Sequence, residues 1–222
     1  EKSEVEKKEA WQEKVTTSNA KRSLIPYLKS RGVAKIDQLV LTNSETKQLD
    51  HVLEISKTFV IGEILVTEET LSKQEFMDEL KQSKVNVRAV QRGEKLFVFG
   101  SHLEVIATQD KDKKDSIAMY GKLLHQTFLI TGNIEENSLT IYDPKLQADV
   151  LITHQPSSKK NSDVEVFKTL QPKMTVMSVD KKKKFKVINQ EDKEVENAIY
   201  KTDKKGAIRF KGWSSWKLET VR

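Results

Sequence analysis

One short segment carries the residue types and spacing that come nearest to a metal site. It directly follows a strand-like run over 37–41, and its polar positions are Asn43, Glu45, Lys47 and Gln48. Carboxylate and amide oxygens bind hard divalent cations, and a bound cation can activate water for hydrolysis. A protonated lysine has no lone pair to donate. Polar residues directly after a strand could hold a cation, but the residue types at these positions argue against a metal site.

Histidine is scarce and scattered in this chain. The four histidines are His51, His102, His125 and His154, and no two of them lie within 20 residues of each other. Two-metal hydrolytic sites usually draw several imidazole and carboxylate ligands from short-range clusters. We interpret His154 as a polar residue at a strand end rather than as a lone ligand. The sequence offers no clustered imidazole site.

The amino-acid composition excludes some kinds of binding site and favours some kinds of partner. The chain has 222 residues, no cysteine, a net charge of +6 and a pI of about 9.2. Without cysteine, disulfides and thiolate metal sites are excluded. The positive charge favours polyanionic partners. No apolar run approaches the roughly 18 residues of a membrane span, so the chain is expected to be soluble and globular.

Alternating helix-like and strand-like segments must position the polar segment. They predict one layered α/β domain over 15–222, preceded by a charged N-terminal arm over 1–14. Ser18 is expected to cap a helix that Gly32 ends, with Pro26 as a local conflict inside it. A second helix is predicted over 46–58, and Ser72 is expected to cap a third.

Predicted strands are spread along most of the chain. Runs of β character are predicted over 37–41, 63–66, 85–90, 95–99, 103–108, 116–120, 127–131, 148–152 and 174–179. Residues 109–115 are interpreted as an exposed turn. Short helices are predicted over 134–139 and 163–170, and the last segments, 206–210 and 217–221, read as paired strands.

Several phrases resemble the metallo-β-lactamase-like domain of the competence DNA-uptake channel protein ComEC, of the streptococcal and lactococcal type. The phrases are LIPYLKSRG (24–32), DQLVLT (37–42), DSI (115–117), YGKLL (120–124), FLITGNIEE (128–136), ADVL (148–151), TD (202–203), GAIRFKGW (206–213) and WKLETVR (216–222). Together they extend from about Trp11 to Arg222. The resemblance implies a metallo-β-lactamase-like αββα sandwich, lacking its first strands because no counterpart of the family's opening strand pair is found.

The resemblance also implies where the ligands of two divalent metal ions should stand. The positions that match the family's ligand motifs are Asn43, Glu45, Lys47, Gln48, Asn133, Gln155, Pro156 and Asn189. Only Glu45 keeps a good ligand group, and Lys47 adds a charge that would repel dications. We therefore expect vestigial positions, no bound metal and no catalytic residues.

Lysine clusters are the candidate DNA-binding positions. They are Lys159, Lys160, Lys181, Lys182, Lys183, Lys184 and Lys186, with Phe185 among them. Ammonium groups neutralise phosphates and release counterions, and an aromatic side chain can stack on a base. The alternative is a solvated loop. In the resembling family these loops border the active cleft, so the DNA-facing role rests on the resemblance.

The resulting prediction is a metal-free, non-catalytic domain of a ComEC-type membrane protein for natural transformation, with a structural or DNA-contacting role. Its expected partners are DNA and the membrane channel part of the same parent protein, and no small-molecule substrate is expected. By resemblance, the domain would face the outside of the cell membrane. The alternatives are an active metal-dependent nuclease or phosphodiesterase, and a truncated, non-functional product of a decayed competence gene.

Overall fold

The computed structural model describes residues 18–98, 100–109, 115–123, 125–132, 146–154, 170, 172–179, 199–212 and 216–221. The predicted arm over 1–14 and the predicted helix over 134–139 lie outside these residues. Of the predicted helix over 163–170, only the buried Leu170 is described.

The first helical segment divides where the sequence placed Pro26. A π-helical turn over Ala20–Leu24 leads into helix α1 over Ile25–Ser30, so the proline occupies the start of α1. Proline is tolerated there because the first turn needs no intrahelical N–H bond. Ser18 Oγ accepts the Lys21 N–H at 3.2 Å. Gly32, with φ of +71°, ends the segment as predicted.

Three parallel strands form the first sheet. Strands β1 (Lys35–Val40), β2 (Val60–Val66) and β3 (Asn86–Ala89) lie in the order β1-β2-β3. Parallel neighbours require crossover connections. Helix α2 (Thr46–Ser56) supplies the first crossover, and α3 (Glu68–Ser72), α4 (Gln74–Leu80) and a 3₁₀ turn (Lys81–Ser83) supply the second.

The prediction that Ser72 caps a helix is wrong. Ser72 is the last residue of α3, and its Oγ donates to the Glu69 carbonyl at 2.7 Å. The capping residue of this region is Thr67, whose Oγ1 accepts the Thr70 N–H at 3.1 Å. A serine hydroxyl that bonds a carbonyl three residues back satisfies a helix end rather than a helix start.

A seven-stranded mixed sheet forms the second layer. The strands β4 (Lys95–Val98), β5 (Ser101–Gln109), β6 (Asp115–Leu123) and β7 (Gln126–Ile130) are antiparallel neighbours. The strands β8 (Val150–His154), β9 (Met174–Ser178) and β10 (Ile199–Lys201) extend the sheet in parallel from β7.

The chain continues through a short helix, α5 (Thr202–Lys205), into an antiparallel hairpin of β11 (Ala207–Gly212) and β12 (Trp216–Val221). The Phe210 ring meets Phe128 of β7 edge-on, with 5.4 Å between the ring centroids. The antiparallel pairing of β11 and β12 confirms the prediction that segments 206–210 and 217–221 form paired strands.

Three apolar clusters show how the layers stack. Leu65 of β2 packs with Val105 and Ile117 of the second sheet, so the two sheets lie face to face. On the other side of the first sheet, Ile64 packs against Leu49 and the remaining apolar residues of α2 and α4. Leu129, Leu151 and Leu170 form a third cluster on the outer face of the second sheet. Among the described helices, none is long and apolar enough to cross a membrane.

Candidate metal centre

The loop after β1 connects the two sheets. Leu41 N–H donates to the Leu65 carbonyl of β2 at 2.9 Å, which extends the first sheet by one bond. The next residue bonds the second sheet instead, since the Thr42 carbonyl accepts the Ile117 N–H of β6 at 2.9 Å. The segment over 42–45, which we call the β1 loop, thus begins where the two sheets meet.

The Asn43 side chain makes a hydrogen bond within the β1 loop. The residue is only 4% exposed, and its Oδ1 accepts the Glu45 N–H at 3.1 Å. This is a local side-chain-to-backbone turn, which asparagine forms readily. Glu45 then precedes α2, and its carbonyl accepts the Gln48 N–H at 2.8 Å. The backbone therefore brings the positions predicted for the first ligand motif into one turn of loop and helix.

The donor groups in this turn do not fit a pair of divalent ions. Asn43 and Gln48 offer neutral amides, Glu45 offers a single carboxylate, and residue 47 is a lysine. Two dications need several anionic or imidazole ligands, because their own charges otherwise remain uncompensated. Within the described parts of the chain, no three His, Asp or Glu side chains are grouped closely enough to hold a metal ion.

The remaining predicted positions lie outside the described residues. They comprise Asn133, Gln155, Pro156 and Asn189 and the lysines at 159, 160, 181–184 and 186. Their convergence on the β1 loop stays a prediction. His154 is the last residue of β8, at the strand end where the sequence placed it.

A buried carboxylate that the sequence did not single out lies beside the β1 loop. Asp115 is the first residue of β6 and is 8% exposed, so its assignment to an exposed turn over 109–115 is wrong. Thr67 Oγ1 donates to its Oδ1, and Thr70 Oγ1 donates to its Oδ2 at 2.5 Å. Threonine hydroxyls satisfy the carboxylate because β2 ends, and α3 begins, next to the start of β6.

Lys73 contacts both the Asp115 carboxylate and the β1 loop. Its Nζ lies 3.4 Å from Asp115 Oδ2, 2.5 Å from Ser44 Oγ and 3.6 Å from Glu69 Oε1. We call Ser44, Thr67, Thr70, Lys73 and Asp115 the Asp115 cluster. Its members come from the β1 loop, the end of β2, α3, the α3–α4 junction and β6.

The charge state of Asp115 follows from these contacts. Burial by itself would raise the pKa of the carboxyl group, but hydrogen bonds from Ser44, Thr67 and Thr70 and the positive charge of Lys73 outweigh it. The pKa of Asp115 is therefore lower than its ordinary value, and the group is ionised at neutral pH. The sequence signal for this cluster was the phrase DSI at 115–117, which the resemblance contains but which has no recognised ligand pattern.

The first sheet carries a groove whose charged lining residues form ion pairs with each other. It is a groove of about 670 Å³ whose lining includes Gln38, Glu63, Arg88 and Phe97. Arg88 contacts Glu63 at 2.8 Å and Glu94 at 2.7 Å, and Gln38 donates to Glu63 at 2.7 Å. The Arg88 and Gln38 hydrogen bonds lower the pKa of Glu63 despite its partial burial. Because these charges already compensate each other, the β1 loop is the stronger candidate site.

Known proteins resemble this chain in sequence and in fold. No protein-family model matches the chain. ComE operon protein 3 of Bacillus subtilis is 22% identical over 218 residues, which cover 91% of this chain and 28% of that protein. The metallo-β-lactamase fold protein YhfI of Bacillus subtilis superposes with a TM-score of 0.55 at 12% identity, covering 79% of this chain and 76% of YhfI.

These similarities confirm two predictions. The chain has an α/β metallo-β-lactamase fold, and its sequence is similar to that of ComE operon protein 3. The chain spans only 28% of the length of that curated relative. The activity, substrates and partners of the whole protein are therefore questions for proposal and experiment.

Proposed function

We propose that the chain is the metallo-β-lactamase-like domain of a ComEC-type DNA-uptake membrane protein and that it acts without a metal ion, in a structural or DNA-contacting role. The fold and the relationship to ComE operon protein 3 support the placement in a competence protein. The β1 loop supports the metal-free part of the proposal.

The donor set of the β1 loop and the first turn of α2 is the observation that carries this proposal. Asn43 and Gln48 offer neutral amides, and Lys47 stands where the family motif has a ligand. Glu45 is then the only carboxylate among the four positions from 43 to 48 that match the family motif. One carboxylate and two amides bind a transition ion weakly, and without the ion no water is activated near neutral pH.

Metal content tests the proposal directly. After incubation with zinc or manganese and removal of free ions by gel filtration, we expect elemental analysis to find far less than one bound ion per chain. Phosphodiesterase activity on a chromogenic diester should stay at the background level. The Glu45→Gln variant is the matched control, because it removes the one retained ligand group and should give the same readings.

Two tightly bound ions per chain would overturn the metal-free proposal. Activity that is lost in Glu45→Gln would do so as well, since it would show that the β1 loop holds a working metal.

DNA contact is the second part of the proposal, and it is supported by the lysine clusters in the sequence. We expect the chain to bind DNA with an affinity that falls as salt rises. Replacing Lys181 to Lys184 by alanine should reduce the slope of log K against log salt by up to about 4, since each neutralised phosphate contributes about 0.9. Fluorescence anisotropy with labelled single- and double-stranded DNA over a salt series measures both quantities.

A variant with the same change in charge elsewhere provides the control. Lys21, Lys29, Lys84 and Lys122 are exposed and lie far from residues 181–184 in the sequence. Their replacement by alanine should change the salt slope much less than replacement of 181–184. If the chain shows no binding at roughly 20 mM salt, or if both variants behave alike, the DNA-contacting role fails.

A further inference from the structure

The β1 loop is attached to the second sheet at two points. The first is the backbone hydrogen bond from Ile117 N–H to the Thr42 carbonyl at 2.9 Å. The second runs through side chains: Ser44 hydrogen-bonds Asp115 directly, Ser44 Oγ also accepts from Lys73 Nζ at 2.5 Å, and Lys73 Nζ lies 3.4 Å from Asp115 Oδ2. Both attachments reach the first three residues of β6. Asn43, which lies between Thr42 and Ser44, is thereby held from both sides.

Lys73 supplies the cation that the second attachment requires. The Asp115 side chain is only 4% exposed, and a buried carboxylate is costly unless a cation and hydrogen bonds compensate it. The threonine hydroxyls provide hydrogen bonds but no charge. Lys73 also contacts Glu69, which is itself an anion, so its ammonium lies among three oxygen-bearing groups: two carboxylates and a hydroxyl.

Such a set of oxygens around one positive charge resembles the surroundings of a bound hard cation. Here a side chain of the protein provides the charge, and its stem anchors it to the junction of α3 and α4. The charge therefore cannot dissociate or be removed by a chelator, in contrast to a metal ion.

We propose that Lys73 is a built-in cation that ties the β1 loop to Asp115, so that the loop keeps its conformation without a bound metal. Lys73 acts as a positioning residue, and its effect on the loop passes through Ser44 and Asp115. The inference rests on the proposed function in one respect, namely that no metal holds this loop.

Hydrogen exchange at single amides tests this role. The reporters are the Glu45 amide, which donates to Asn43 Oδ1 inside the loop, and the Leu151 amide of β8, an interior strand of the second sheet, as an internal reference. In Lys73→Met, we expect Glu45 to exchange on the order of tenfold faster, the factor that loss of one hydrogen bond to a charged group gives. Leu151 should change much less, because the loop opens locally.

Three further variants distinguish loss of the Ser44–Lys73–Asp115 contacts from a general loss of stability. Lys73→Arg keeps the charge and should restore most of the protection at Glu45. Lys81→Met removes an exposed lysine that pairs with Asp78 at 2.9 Å, and it should leave Glu45 unchanged. Asp115→Asn should speed exchange at Glu45, and adding Lys73→Met to it should have little further effect, because both substitutions break the same tie.

The opposite results would overturn the proposal: unchanged exchange at Glu45 in Lys73→Met, equal acceleration at Glu45 and Leu151, or fully additive effects of the two substitutions. Adding zinc to the unmodified protein distinguishes this proposal from the metal-free one. If zinc slows exchange at Glu45 in the unmodified chain, the metal-free proposal fails, whereas the response to Lys73→Met decides the role of Lys73.

Discussion

Replacing Gly132 by alanine is expected to destabilise the protein by about 3 kcal/mol, which is among the largest effects of any single methyl group in this fold. Gly132 follows β7 with φ of +57°, a left-handed conformation that costs a residue with a Cβ about 1–2 kcal/mol. An added Cβ would also lie 2.4 Å from the Ile117 carbonyl oxygen and 3.2 Å from Thr42 Cβ. Neither neighbour can move freely, because Ile117 N–H bonds the Thr42 carbonyl.

Urea unfolding followed by circular dichroism measures this effect, and the midpoint of thermal unfolding should fall by roughly 6–12 °C. Gly100→Ala is the matched control. Gly100 has φ of +75°, but an added Cβ would meet nothing within 4 Å. It should therefore show only the backbone cost. Equal losses in the two variants would mean that the close approach of Gly132 to β6 and the β1 loop is not a constraint on stability.

Asp149→Asn is expected to cost about 2 kcal/mol at neutral pH and almost nothing near pH 2. Asp149 precedes β8 and joins the starts of three neighbouring strands. Lys173, next to β9, contacts its Oδ1 at 2.7 Å, and the backbone N–H and hydroxyl of Thr127 in β7 donate to its Oδ2 at 2.8 and 2.7 Å. These bonds lower the pKa of Asp149 from 3.8 to about 2.

The sign of the pH dependence follows from that lowered pKa. The folded state binds the proton of Asp149 less readily than the unfolded state, so the stabilisation is complete above about pH 4 and is lost as the pH falls towards 2. The difference in unfolding free energy between the two proteins should shrink over this range.

Denaturant unfolding of both proteins at a series of pH values measures the difference. Asp37→Asn is the control, because the Asp37–Lys35 pair is exposed on both sides and should contribute little. A difference for Asp149→Asn that stays constant down to pH 2 would contradict the role of its charge.

Local patterns in the sequence predicted most of the regular structure. The strand after Gly32, the helix of the first crossover and the terminal hairpin all follow from apolar periodicity and turn residues. Thr67, the capping residue of α3, was not found, and Ser72 was placed at a helix start because a serine three residues before Glu75 matches the capping-box pattern. Only the bond that each hydroxyl makes in three dimensions distinguishes a start from an end.

The sequence by itself determined which chemical groups stand after β1: two amides, one carboxylate and one lysine in place of clustered imidazoles. Side-chain type is a local property, so these residues disfavour a two-metal site whatever fold positions them. Only the tertiary structure brought Ser44, Lys73 and Asp115 together, from positions up to 71 residues apart in the sequence. Such pairing depends on how two sheets and a helical layer meet. A surface-like aspartate in a charged stretch therefore became a buried carboxylate with its own built-in cation.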